Sequence, residues 1–173
     1  MRVVAGRFKG RTLHAPAGSA TRPTSDKVRG AIFSVLGDIE GADVLDLFAG
    51  SGALGIEALS RGATSAVFID NDPKAVAAIR RNLTGVGVEA PVQKRDVLRY
   101  LASEGGRFEL VFVDPPYSSA PRLGEPLSRL LPAVLSQNAL IVIESDKRAP
   151  LQLELPLEFE RDYGDTRIRI HRG

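Results

Sequence analysis

Four consecutive residues, Asp114-Pro115-Pro116-Tyr117, bring a carboxylate, a backbone carbonyl and an aromatic ring together. Each proline fixes its own φ and pushes the residue before it toward an extended path, so the Pro115 carbonyl escapes helical competition. The chemistry that uses such a set is methyl transfer to an amino group conjugated to a nucleobase. The lone pair of that nitrogen is delocalised into the ring, and its two N–H groups need acceptors before it can be aimed at an electrophile. Asp114 and the Pro115 carbonyl can be those acceptors, and Tyr117 can stack on an extruded base. The developing ammonium is acidic, so Asp114 has no need to be a strong base. On these four residues alone, a proline-rich turn with a surface tyrosine is an equally good account.

A second constellation, DLFAGSGALG over 46–55, carries Gly50, Gly52 and Gly55 in the spacing G-x-G-x-x-G. A loop of this kind between a strand and a helix lets the backbone approach a ligand closely. Asp70 follows the first glycine by about twenty residues, which also meets the dinucleotide fingerprint. Glycine spacing therefore does not choose the ligand, but Asp46 does. It stands near the strand end, where a pyrophosphate needs positive potential and would meet a carboxylate instead. S-adenosylmethionine has no phosphate and carries a positive ammonium and a positive sulfonium, so it suits an acid there. Asp70 can accept from both ribose hydroxyls and Asp96 from the adenine amino group, or each can simply cap the helix that follows. A dinucleotide binder without methyl transfer leaves Asp46 and the D-P-P-Y run without a role.

Both constellations need a frame that brings them to one edge. Apolar runs at 43–48, 65–70, 108–114 and 139–145, with a weaker one around 89–96, alternate with helix-like stretches. That alternation predicts a doubly wound, mostly parallel α/β sheet with its strands buried on both faces. Asp72-Pro73 caps a helix whose Val76, Ile79 and Leu83 share a face, and Gly62 and Gly85 mark expected helix stops. Thr24 or Ser25 caps a helix over 24–36 that turns Val28, Ile32 and Val35 or Leu36 inward, and Gly30 weakens it by roughly 1 kcal/mol. Gly164-Asp165 divides the last alternating segments into a hairpin that finishes the sheet antiparallel, with Arg167, Arg169 and His171 expected on a solvated edge. Residues 2–16 read as two short β-like runs around a glycine-bounded turn.

The 173 residues suit one compact unit, divided here into a hairpin-and-helix extension over 1–36 and an α/β domain over 37–173. With no cysteine, disulfides, thiolate catalysis and the usual zinc sites are excluded, and no metal is expected. The first residues lack the apolar core of a signal peptide, and ALIVI is too short to span a bilayer, so a cytoplasmic protein is expected. Charge is unevenly placed. Arg2, Arg7, Lys9, Arg11, Arg22, Lys27 and Arg29 face only Asp26 within residues 1–30, a local +6 that leaves −4 for the remainder of a chain whose net charge is +2. Such an end is the footprint of a polyanion partner, or a solvated basic arm. His14, within it, is expected to be solvated.

DLFAGSGALGIEALSRGA (46–63) together with DPPY resembles class I S-adenosylmethionine-dependent methyltransferases that modify exocyclic amino groups. MRVVAGRFKGRTL (1–13) and TRPTSDKVRGAIFSVL (21–36) resemble, more narrowly, the RsmD family of bacterial 16S ribosomal RNA guanine-N2 methyltransferases. The likeness runs from Met1 to about Tyr117 and thins to general fold features afterwards. It implies a seven-stranded Rossmann-like sheet and direct in-line transfer to N2 of one guanine, with S-adenosyl-L-homocysteine as the second product. It further implies a monomer acting on 16S ribosomal RNA or the small ribosomal subunit, away from membranes. Carried over by position, Asp46, Gly50 and Gly52 cradle the methionine portion, Asp70 the ribose and Asp96 the adenine. Phe48, Ala49, Ser51, Asn71 and Val97 complete the cofactor site, and Asp114, Pro115, Pro116 and Tyr117 meet the target base. Asp114 borders both ligands, and the seven basic residues grip RNA. Asp70 stands where the family usually has glutamate, and Gly30 where glutamate is common. D-P-P-Y is shared with adenine-N6 DNA methyltransferases, which keeps that target as an alternative.

Overall fold

The computed structural model describes residues 1–18, 25–103 and 105–173. The apolar runs become β1 (Asp43–Leu47), β2 (Ser65–Asp70), β3 (Val92–Lys94), β4 (Phe108–Val113) and β5 (Leu135–Asp146), parallel throughout. β6 (Leu157–Tyr163) and β7 (Thr166–Arg172) form the final hairpin, and β7 inserts antiparallel between β5 and β6. The seven strands lie in the order β3-β2-β1-β4-β5-β7-β6. Strand order reverses between β1 and β4, which opens a crevice at the carboxyl ends of those two strands.

Side chains alternate across each strand, so two cores result. On one face Phe68 and Phe112 pack with Ile32 and Phe33 of α1 (Asp26–Leu36), Ile56 of α2 (Ala53–Ser60) and Ile79 of α3 (Pro73–Val86). On the other, Leu47, Val111 and Ile143 pack with Tyr100 of α4 (Val97–Leu101) and Leu127 of α5 (Ala120–Leu130). Among the described residues no helix is long and apolar enough to cross a membrane.

Several local expectations change in the structure. α3 runs through Gly85 and stops at Gly87, whose φ of 74° supplies the left-handed cap, because Val86 still has a core to enter. The N-terminal runs meet at one antiparallel bridge, Arg2 with Thr12, held by Val3 N–H to the Arg11 carbonyl at 3.0 Å and Leu13 N–H to the Met1 carbonyl at 2.9 Å. The sheet ends at β6 rather than β7. Arg167 and Arg169 accordingly pair with Asp162 and Glu160 across the hairpin, while His171 is buried with Nδ1 2.9 Å from the Leu155 carbonyl. Burial lowers the pKa of His171, keeping the ring neutral.

The largest departure concerns α1. Its inward row contains Arg29 and Phe33 besides Val28 and Ile32, and Val35 is left 42% exposed. Arg29 cannot be the RNA-gripping residue expected of it, since its side chain is fully buried. It lies 3.5 Å from the buried carboxylate of Glu57, 2.8 Å from Asp26 Oδ1, and donates to the Arg2 carbonyl. Glu57 in turn accepts from Val4 N–H at 2.7 Å, Ala5 N–H at 2.9 Å and Arg61 Nε at 2.8 Å. The N-terminal turn beyond is seated just as tightly. A Cβ at Gly6, φ 79°, would fall 1.8 Å from the Ser60 carbonyl oxygen, which accepts the Arg7 N–H at 2.8 Å. Replacing Glu57 by Ala removes one of the two carboxylates that face the buried Arg29 guanidinium and takes the acceptor from the Val4 and Ala5 N–H groups, and should cost about 3–5 kcal/mol in urea unfolding.

Candidate active site

β1 hands over to α2 through Phe48-Ala49-Gly50-Ser51-Gly52. Gly50 and Gly52 have φ of 56° and 75°, conformations that glycine adopts without a Cβ penalty. Phe48 also has a positive φ, 57°, which costs a residue with a side chain about 1–2 kcal/mol. The turn is tied down on both sides: Ala49 N–H reaches the Ile69 carbonyl at 3.1 Å, and Gly52 N–H the Ala49 carbonyl at 2.6 Å. Gly55 serves a different purpose. A Cβ there would lie 2.4 Å from the Phe68 ring and 3.0 Å from Asp46 Oδ2, so only glycine lets α2 settle onto the sheet.

Two carboxylates organise this loop from beneath. Asp46 Oδ2 accepts the Gly55 N–H at 2.9 Å. Asp70 accepts the Gly50 N–H at 2.9 Å on Oδ2 and the Asp72 N–H at 2.9 Å on Oδ1. Strand register pairs Asp46 with Phe68 and Phe112, and Phe112 with Val142. Asp70, Asp114 and Glu144, each two residues further along its strand, therefore emerge on the same face of the carboxyl edge. Asp46 is 1% exposed, and its pKa is pushed up to about 8, first by burial and further by the neighbouring Asp70 charge, against the Gly55 hydrogen bond.

These elements enclose a cavity of about 650 Å³. Asp46, Phe48, Ala49, Gly50, Ser51, Asp70 and Asn71 form one wall, and Asp114 through Tyr117 face it. Pro115 is buried, and the turn's own bonds go to the Pro116 carbonyl, from Ser119 N–H at 2.9 Å and Ser119 Oγ at 2.8 Å. Among the described residues no hydrogen bond goes to the Pro115 carbonyl. Tyr117 is 42% exposed. Its phenol is held above the usual pKa mainly by burial, against a hydrogen bond with the Thr166 side chain, and the Glu144, Asp114 and Asp146 carboxylates add to the rise.

Three expected cofactor residues stand back from the wall. Gly52 lies beneath it against Ile79 and Phe68, and Val97 belongs to the core of the opposite face. Asp96 is exposed and uses Oδ1 to cap α4 through the Arg99 N–H at 3.0 Å, the alternative its position had left open.

Other residues reach the cavity without any sequence motif to announce them. Met1, Pro16, Ala17 and Gly18 of the N-terminal segment line it, as do Asp72 and Lys74 from the start of α3. Asn82, 1% exposed, lies beneath the wall and carries the one legible signal, an amide set within the apolar row of Ile79 and Leu83. Arg2, Arg7, Lys9, Arg11 and Lys27 are exposed, with the Arg7 guanidinium 4.4 Å from the Phe8 ring centroid. Arg22 lies outside the described residues, as does Thr24. No cluster of three or more metal-binding side chains occurs among the described residues.

The family model described as "Conserved hypothetical protein 95" matches residues 1–172. The Bacillus subtilis (strain 168) protein YlbH is 39% identical over 186 aligned positions, covering 99% of this chain and 98% of its own. Ribosomal RNA small subunit methyltransferase D of Escherichia coli (strain K12) is 39% identical over 150 positions, covering 84% of this chain and 75% of its own. A solved hypothetical protein from Thermus thermophilus superposes with a TM-score of 0.85 at 31% identity, covering 100% of this chain and 99% of its own.

The raised pKa of Asp46 carries a sign that can be measured. Its folded-state value of about 8 exceeds the ordinary 3.8, so the folded protein holds one proton more than the unfolded chain between those limits. This contribution to stability is complete below pH 4 and is lost as pH rises toward 8. Urea unfolding of wild type and Asp46→Asn across that range should show the downward contribution in wild type and its removal in the variant.

Proposed function

The chain belongs to the conserved hypothetical protein 95 family, that of ribosomal RNA small subunit methyltransferase D, and on that premise we propose that it methylates the exocyclic N2 of one guanine in small-subunit ribosomal RNA, with S-adenosylmethionine as donor. One observation carries the choice of donor. A pyrophosphate at this loop would have to recruit its amides, yet the Gly50 N–H is already given to Asp70 and the Gly55 N–H to Asp46. The wall is lined by four acids, Asp46, Asp70, Asp72 and Asp114, of which Asp46 is protonated near neutral pH, against Lys74 as its lining basic side chain among the described residues. That balance suits a ligand with two positive groups. Asp70 is assigned to the ribose, the loop from Asp46 to Ser51 to the methionine portion with Asn71 beside it, and Asp96 keeps Oδ2 for the adenine amino group.

When bound, S-adenosylmethionine supplies a methyl group on a sulfonium that leaves as the neutral thioether of S-adenosylhomocysteine. The chain's own residues prepare the acceptor. Tyr117, 42% exposed at the cavity, takes the extruded guanine on its ring. Asp114 and the Pro115 carbonyl accept the two N2 hydrogens, which turns the nitrogen lone pair out of the ring plane and toward the cavity. The proton released from N2 passes to Asp114 and then to water, so charge balances at the end of the step. Arg2, Arg7, Lys9, Arg11 and Lys27 are assigned to backbone phosphates of the same RNA.

Mass-spectrometric mapping of ribosomal RNA from cells with and without this protein should locate one N2-methylguanine that depends on it; methylation of duplex DNA adenine with ribosomal RNA untouched would overturn the reading. Asp114→Ala should lower transfer by about 10²–10⁴-fold while S-adenosylhomocysteine binding, read by calorimetry, stays nearly unchanged. Replacing Arg7, Lys9 and Arg11 together by Ala should weaken RNA binding and reduce the log–log salt slope by about two.

A further inference from the structure

The N-terminal segment, residues 1–18, has two sides with different uses. Outward it carries the exposed Arg2, Arg7, Lys9 and Arg11; inward, Met1, Pro16, Ala17 and Gly18 complete the wall of the cavity. Asn82 joins that segment to the glycine loop. Its Oδ1 accepts the His14 N–H at 2.8 Å, and its Nδ2 donates to the His14 carbonyl at 2.9 Å and to the Ser51 carbonyl at 2.8 Å. Toward His14 the carboxamide behaves as a strand neighbour would, matching one donor and one acceptor. Toward Ser51 it spends its remaining hydrogen on the loop itself. A buried amide is costly unless its donors and acceptor are satisfied, and Asn82 is satisfied only with the segment and the loop both in place. Met1 Sδ, 3.5 Å from Ser51 Oγ, is a second contact between the same two elements.

We infer that Asn82 is a positioning residue that couples the cofactor cavity to the RNA-binding segment; the inference rests on the methyl-donor and RNA reading above. A ligand in the cavity touches Ser51 on one side and Pro16 to Gly18 on the other, so it favours the arrangement in which Asn82 holds His14. That arrangement fixes the basic side chains for phosphate. Phosphates held by the segment favour the closed wall in return, and the two ligands must strengthen one another by the same factor.

Calorimetry of the full chain with S-adenosylhomocysteine and a ribosomal RNA fragment containing the target guanine measures this factor from both directions. We expect a mutual tightening of about fivefold or more, together with slower hydrogen exchange of the His14 amide when S-adenosylhomocysteine alone is bound. In Asn82→Ala the factor should fall to one. Asn82→Asp keeps the acceptor for the His14 N–H but sets carboxylate oxygen against the His14 and Ser51 carbonyls, so it should not restore the coupling. Tight binding of both ligands to wild type with a factor of one, or an Asn82→Ala protein that retains the wild-type factor, would overturn the inference. Should Asn82→Ala not fold, the wild-type factor and the exchange rate decide alone. No binding of S-adenosylhomocysteine at all would instead remove the preceding reading, and the coupling with it.

Discussion

A carboxylate that water does not reach, that of Glu57, gathers Val4 N–H, Ala5 N–H, Arg61 and Arg29 around itself. Removing it from water is costly, and only several donors arriving together make up the loss. All of them come from other parts of the chain or from the next turn of α2. The first turn of α2 carries Gly55, which bonds Asp46 and lies against Phe68, so the same short helix fixes both the cofactor loop and the N-terminal segment. A shift of α2 would therefore disturb two parts of the cavity wall at once.

The crevice follows from strand order, and its chemistry from strand register. Because Asp46, Phe68 and Phe112 stand side by side, the carboxylates of Asp70, Asp114 and Glu144 project on one face at the carboxyl edge. The D-P-P-Y turn adds acceptors of a different kind, a backbone carbonyl and a ring, at the neighbouring strand end. Separation in sequence is large, from Asp46 to Tyr117, yet only adjacent strands are involved. The antiparallel β7 reaches the same edge from the opposite direction, which is how Thr166 comes within hydrogen-bonding reach of Tyr117.

Much of this was legible in the residues. Contiguous apolar runs specified the buried strands, Asp72-Pro73 the start of α3, and Gly164-Asp165 the last turn, because each depends on local chemistry. Asp46 and D-P-P-Y pointed to the chemistry for the same reason. What escaped depends on partners far along the chain. Arg29 reads as a solvated cation until Glu57, in a different helix, is placed beside it. Gly85 looks like a helix stop because nothing local shows that Val86 has a core to enter. The inward use of Pro16 to Gly18 has no motif, since a wall is made by where a segment lies and not by what its side chains are. Asp96 had two local accounts, and the structure displays the capping bond.

Asp46 raised to about 8 means that near neutral pH the cavity carries one negative charge fewer than its acids advertise. Near neutral pH a proton occupies the place of a counterion, and both Asp70 oxygens are engaged by amides. RNA surrounds itself with a condensed atmosphere of small cations. A cavity of bare carboxylates beside it would fill with those ions and have to be emptied at each turnover. Here Asp46 holds a proton and Asp70 gives both oxygens to amides, so two of the four lining acids offer little to such ions.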